Sequence, residues 1–265
     1  MELKVGDFVS LFQQIAPFHL QESYDNSGLL TGSYDTVVSK VMLCLDMTEE
    51  VLEEAIEKGC NLIIGHHPII FKGLKRINGN NYVERVVIKA IKQDLMLLAV
   101  HTNLDNVLLQ GVNQKIADKL ELSKIEILAP KSETDARIGA GCLGYLNAPM
   151  LITDFLNHVK SSMQTSCIRY SGNPKTMIHK VAICGGSGSF LLPHAIKEGA
   201  HAYVSADFKY HEFFDAEDKI LVADIGHYES EQYTIELFND ILRNNFPNFA
   251  VHMTSVNTNP IKYYS

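Results

Sequence analysis

A stretch of twenty residues occurs twice in this chain, and that repetition limits the fold more than any other feature. KVMLCLDMTEEVLEEAIEKG at 40–59 aligns without gaps on KVAICGGSGSFLLPHAIKEG at 180–199, an offset of 140, the distance from Lys40 to Lys180. Identities fall at Lys40/Lys180, Val41/Val181, Cys44/Cys184, Leu52/Leu192, Ala55-Ile56/Ala195-Ile196 and Gly59/Gly199. The shared Ala-Ile-x-x-Gly is a helix end stopped by glycine in the same register. Each copy therefore reads as a strand followed by an amphipathic helix.

The parallel continues beyond the aligned stretch. A second strand, over 61–64 or 202–205, runs into polar residues at His66-His67 or Ala206-Asp207. A helix and a third strand follow, over 95–100 or 220–225. The third strand leads to His101-Thr102-Asn103-Leu104-Asp105 in the first copy and His227-Tyr228-Glu229-Ser230-Glu231 in the second, each a histidine with a carboxylate four residues on. Helical spacing of apolar residues marks 5–16, 48–58, 83–93, 190–198 and 228–243. Alternating strands and helices of this kind specify an α/β fold: two duplicated αβ halves with mixed sheets. The organisation expected is a first repeat with its N-terminal helix over 1–120, a small βαβ connector over 121–179 and a second repeat over 180–265, forming one integrated globular unit.

A chain of 265 residues buries roughly 70–75% of its unfolded surface and needs no covalent staples. Its five cysteines, at 44, 60, 142, 167 and 184, form no CxxC pair and read as small buried thiols. The net charge of -8, without a basic cluster, argues against broad nucleic-acid or membrane-surface binding, which requires arrays of Lys and Arg. No apolar run approaches the ~20 residues of a membrane span, and the polar start Met1-Glu2-Leu3-Lys4 lacks the pattern of a signal peptide. A cytoplasmic location is the expectation.

Polar residues just past the carboxyl ends of strands are where an open α/β fold presents ligands. His66, His67, Asp105, His227 and Glu231 all sit there and are the candidate metal ligands. Imidazole nitrogens mixed with carboxylate oxygens suit zinc, iron or manganese rather than magnesium. On an extended segment His66 and His67 would point to opposite sides and approach different ions, or they would meet one ion after a sharp turn at Pro68. His227 and Glu231, at i and i+4, share one face of a helix start. Two divalent ions per subunit, about 3.5–4 Å apart, would activate water and hold an oxyanion, so hydrolysis is the default chemistry. Gly185-Gly186-Ser187-Gly188 could cradle a phosphate on backbone N–H groups or simply form a tight turn. His179, His194 and His252 read as structural.

Together these segments resemble the Nif-three-like family, also described as GTP cyclohydrolase I type 2 homologues or dinuclear-metal-centre hexameric proteins. The motifs are SYDNSGLLTG (23–32), LIIGHHPIIF (62–71), AVHTNLDNV (99–107), GGSG (185–188), SADFKYHE (205–212) and DIGHYESEQ (224–232). The resemblance covers nearly the whole chain. It implies the same five ligands around two metals, a homo-oligomer in the form of a toroidal hexamer, and GTP or another nucleotide as substrate. His101 and His211 become the candidates for proton transfer or for support of the ligands. Tyr24 stands where many members have Trp, and Ser205-Ala206 where many have Thr-Gly. Longer relatives carry an inserted domain, for which 120–179 is too short. A non-enzymatic reading, in which the same ligands store or transfer metal or serve a regulatory protein, stands beside the hydrolase.

Overall fold

The computed structural model describes residues 2–132, 134–173 and 177–264, so Met1 and Ser265, the ends of the two repeats as read from sequence, lie outside it, as do four residues of the connector. In chain order the first elements are α1 (Val5–Ile15), β1 (Gly28–Thr31), β2 (Val41–Cys44), α2 (Glu49–Glu57), β3 (Leu62–Gly65), α3 (Tyr82–Lys92), β4 (Met96–Ala99) and α4 (Thr102–Asp105). Next come α5 (Val112–Lys119), β5 (Ser123–Pro130), β6 (Gly139–Met150), α6 (Ile152–Ser162), β7 (Arg169–Ser171), β8 (Ile178–Ser187) and α7 (Leu192–Lys197). The last are β9 (Ala202–Ala206), β10 (Leu221–Asp224), α8 (His227–Glu231), α9 (Thr234–Asn245) and β11 (Val251–Met253). These elements form two compact units: residues up to Leu104 together with Thr234–Pro260, and Asp105–Tyr233 together with the residues after Pro260.

In the first unit the strands lie in the order β1-β4-β3-β2-β11, with β1 antiparallel and the others parallel. Each of β2, β3 and β4 is buried along its whole length, as its continuous apolar run requires for a sheet covered on both faces. One face, bearing Met42, Cys44, Ile63, Leu97 and Ala99, packs against Val51, Leu52 and Ala55 of α2 and Val86, Val87 and Ala90 of α3. Burial of each of the larger side chains stabilises the fold by roughly 2 kcal/mol. The helix starts are fixed locally: Thr48 Oγ1 accepts from the Val51 N–H and Asn81 Oδ1 from the Glu84 N–H. Helices α1 and α9 meet through Phe12 and Phe238, edge to face at 5.5 Å, and Phe8 packs on Phe246, just past α9, at 5.0 Å.

The second unit is a six-stranded sheet in the order β5-β6-β8-β9-β10-β7. Strands β8, β9 and β10 are parallel, while the pairs β5/β6, β6/β8 and β7/β10 are antiparallel. Its core joins Leu143, Ala182, Leu192, Ala195, Tyr203 and Val222. Strand, helix and strand follow one another at β6, α6 and β7, yet the two strands are not neighbours; β6 lies beside β5 and β8, and β7 lies at the far edge against β10.

Each unit thus contains three successive parallel strands in chain order, and the repeated sequence is a repeated backbone. Gly59 and Gly199 close their helices in the left-handed region, with φ of 71° and 66°. The Cys60 N–H donates to the Ala55 carbonyl at 2.8 Å and the Ala200 N–H to the Ala195 carbonyl at 3.0 Å, the same Schellman closure twice. Lys40 and Lys180 each reach a carbonyl of the adjacent helix end, that of Lys58 and of Glu198. The helix expected over 228–243 is two: Gln232 Nε2 donates to the Met163 carbonyl and Tyr233 Oη to the Ser162 carbonyl, and the axis breaks there.

Candidate metal centre

In the first unit the sheet ends at Gly65, and the next two residues turn sharply. The backbone N–H groups of both His66 and His67 donate to one carbonyl, that of Leu45, at 3.1 and 3.0 Å. Consecutive amides aimed at one acceptor cannot belong to an extended strand, so the rings lie on the same side rather than opposite ones. The chain bends at His66 and His67 themselves, one residue earlier than the turn at Pro68 that the sequence left open. The His66 and His67 ring centroids are 4.9 Å apart, and those of His101, just past β4, stand 5.1 and 5.3 Å from them. Each of the three offers a ring nitrogen within 4.8 Å of the others, close enough to share an ion.

The second unit carries the matching group. Gly226, at φ 92°, turns the chain from β10 into α8, whose single turn places His227 Nε2 3.1 Å from Glu231 Oε2. The i, i+4 relation read from sequence is therefore real contact. Carboxylate oxygens of Asp105 and Glu231 also lie within 4.8 Å of each other. Burial alone would depress the His227 pKa, but the carboxylates of Glu231 and Asp207 lift it to about 11. A histidine so charged marks a locus of surplus negative potential, the electrostatic condition for holding a cation. Asp207 is correspondingly held below its usual carboxylate range by the His227 hydrogen bond, with Ser187 Oγ donating to the same carboxylate.

The histidines share a further property that sequence reading did not reach. His66 Nδ1 pairs with the Val100 carbonyl at 2.9 Å, His67 Nδ1 with Asp46 Oδ1 at 2.7 Å, His101 Nδ1 with Asp25 Oδ1 at 2.8 Å and His227 Nδ1 with Asp207 Oδ2 at 2.7 Å. An acceptor at Nδ1 fixes the ring's aim and turns Nε2 the other way, which is how metal-ligating imidazoles are oriented. By contrast, His201 uses Nδ1 to accept from the backbone N–H groups of His179 and Lys180, the pattern of a structural histidine. The Asp25 side chain is buried; burial raises its pKa, but His101, Thr102 and the Asn26 N–H together hold it well below the ordinary carboxylate value.

Asp25, Asp46 and Asp207 were invisible as site residues because their role depends on partners 76, 21 and 20 positions away. The sequence cues were their place just past a strand or within the SYDNSGLLTG and SADFKYHE motifs. His211 lies elsewhere, exposed on a 3-10 helix over Tyr210–Ala216 and packed on Tyr210 and Phe214. Among the described residues, no group able to share an ion includes it. The glycine-rich segment is neither open cradle nor turn: the Gly185 N–H donates to Asn113 Oδ1 and the Gly186 N–H to Ser230 Oγ. Gly186 instead leaves space for Glu231, whose Oε1 would stand 2.4 Å from a Cβ at that position.

The sequence model of the Duf34/NIF3 (NGG1p interacting factor 3) family matches residues 3–260. A Clostridium acetobutylicum protein named GTP cyclohydrolase 1 type 2 homolog is 33% identical over 259 residues, covering 97% of this chain and 94% of its own. One of the same name from Clostridium perfringens is 36% identical over 230 residues, 86% of this chain and 87% of that one. Among solved structures, a Staphylococcus aureus protein superposes with a TM-score of 0.91 at 31% identity over the full length of both chains. A Bacillus cereus protein related to NIF3 does so with a TM-score of 0.90 at 24% identity, again over both full lengths.

Proposed function

Because the chain belongs to the Duf34/NIF3 family, we propose that His66, His67, Asp105, His227 and Glu231 together hold two divalent ions, zinc, iron or manganese, for the hydrolysis of a nucleotide or another phosphate-containing small molecule. The observation that carries this reading is the uniform anchoring of Nδ1 on all three histidine ligands, which presents Nε2 from each. The donor set fits such ions: imidazole nitrogens mixed with carboxylate oxygens suit borderline divalent cations. Bound there, paired divalent ions lower the pKa of water and share the charge of a developing oxyanion.

The chain's own residues supply the rest. Asp46 and Asp207 orient His67 and His227. Glu231, 3% exposed, brings its carboxylate out of bulk water, where a charge interacts more strongly with a cation. His101, held by Asp25 through Nδ1, stands beside His66 and His67 and is the residue to accept a proton from a water or substrate there. The name of the Clostridium relatives, GTP cyclohydrolase 1 type 2 homolog, makes GTP the first substrate to try.

Purified protein loaded with each metal is assayed for bound ions per chain and then screened with GTP, other nucleotides and simple phosphoesters. About two ions per chain with metal-dependent turnover abolished in His67→Ala supports the hydrolase. Two readily exchanged ions with no turnover across the panel favours metal storage or transfer. Absence of tightly held metal overturns both.

A further inference from the structure

The three carboxylates that aim site histidines have something in common: a hydroxyl donates to each. Asp25 accepts from Thr102 Oγ1 and Ser27 Oγ, and Asp207 from Ser187 Oγ. Asp46 accepts on Oδ2 from Thr258 Oγ1 at 2.6 Å, while its Oδ1 holds His67 Nδ1 at 2.7 Å. Thr258 differs from the other donors in its origin, for it lies 212 residues from Asp46 in the segment that follows the last strand.

That segment is fastened at several points within the first unit. β11 pairs in parallel with β2, and the Thr254 N–H extends the ladder to the Leu43 carbonyl at 2.9 Å. Glu54, 9% exposed, then clasps it: its carboxylate accepts from Thr254 Oγ1, from Ser255 Oγ at 2.7 Å and from the Ser255 N–H at 3.0 and 3.1 Å. Val256 packs on the core beneath α2 and α3. Two residues later Thr258 meets Asp46.

We propose that residues 254–258 form a strap whose Thr258 hydroxyl positions the metal-binding nitrogen of His67 through Asp46. The need for it follows from what holds each ring. His66 rests on a main-chain carbonyl, which the chain fixes in place. His67 rests on a carboxylate that is 34% exposed and can rotate about two side-chain bonds. A second hydrogen bond on the other oxygen locks that rotation, and the Nε2 direction is inherited from the lock. Thr258 is thus a positioning residue, not a group that touches metal or substrate.

The inference rests on the metal-site reading, and its test separates the two. Thr258→Val keeps shape and removes only the hydroxyl; Thr258→Ser keeps the hydroxyl. In metal-free protein, imidazole-detected 15N NMR should show the His67 Nδ1–H resonance lost or broadened in the valine variant, retained in the serine variant, and that of His101 unchanged in both. Zinc affinity, measured by competition with a chromophoric chelator, should fall about 10-fold in Thr258→Val and recover in Thr258→Ser, with thermal midpoints alike. An intact His67 resonance in Thr258→Val, or equal affinity of the wild type and the valine variant, overturns the strap. If the wild type itself binds no zinc, the metal reading fails, and the resonances alone decide whether Thr258 orders His67.

Discussion

Replacing Gly186 by alanine tests the second half of the site where the structure is least forgiving. The residue lies within β8 at φ 62°, a conformation that costs an L-residue about 1–2 kcal/mol. Part of that cost is offset by the stiffer unfolded chain, leaving a net loss of about 1 kcal/mol, or roughly 2–4 °C in Tm. The larger effect is local. The new Cβ stands 2.4 Å from Glu231 Oε1, 3.2 Å from its Cδ and 3.3 Å from His227 Cε1. The carboxylate must retreat by about 1 Å to reach ordinary van der Waals distance, and the His227–Glu231 contact of 3.1 Å goes with it. A ligand displaced by that much should weaken metal binding by about 10–100-fold. Gly199→Ala is the control, since its φ of 66° imposes the same backbone strain while a Cβ there meets nothing within 4 Å. Chelator competition and differential scanning fluorimetry on the two variants give the comparison: both should lose similar thermal stability, and only Gly186→Ala should lose affinity. Matching affinities would refute the claim that Gly186 exists to make room for Glu231.

Two further outcomes are expected. Burial raises the Glu54 pKa, but Lys58, Thr254 and Ser255 together lower it to about 2, from 4.5; a depressed carboxylate stabilises the fold above its unfolded pKa, so roughly 3 kcal/mol, present above about pH 4.5, should drain away as the pH falls towards 2. Urea midpoints across pH 6 to 2.5 should therefore drop less in Glu54→Gln than in the wild type, the variant starting lower. Of the five cysteines Cys44, Cys60, Cys142 and Cys184 are buried, with burial first among the causes that push each thiol pKa up, whereas Cys167 is exposed; a thiol reagent should label one cysteine rapidly in native protein, and Cys167→Ser should abolish that fast phase.

The elements legible in the sequence were those whose cause is local. β2, β3 and β4 are uninterrupted apolar runs, and the glycine at 59 and 199 announces a helix end from composition alone. The pairs His66-His67 and His227-x-x-x-Glu231 were likewise visible because their members are neighbours in the chain. β5 escaped because it is an edge strand whose Lys124 and Glu126 interrupt the apolar pattern. β11 is three residues long and owes its existence to the waiting edge of β2, and α5 is a short helix with polar residues on most of its surface. The break between α8 and α9 is imposed by bonds from Gln232 and Tyr233 to the end of α6, some 70 residues earlier, and no local preference at 232–233 reveals it. The carboxylates behind the histidines were hidden for the same reason: Asp46, Asp25 and Asp207 become meaningful only once the sheet has brought distant segments together.

The first unit closes with α9 and β11, which are translated after Asp105–Tyr233, the bulk of the second. During synthesis, therefore, the outer edge of β2 stays bare until Val251–Met253 leave the ribosome, and an unpaired strand edge is a template for wrong partners. Emergence of the N-terminal hundred residues is not enough to mature them; β11 has to emerge before the sheet they form is complete, and release ahead of it would leave the β2 edge in need of a chaperone.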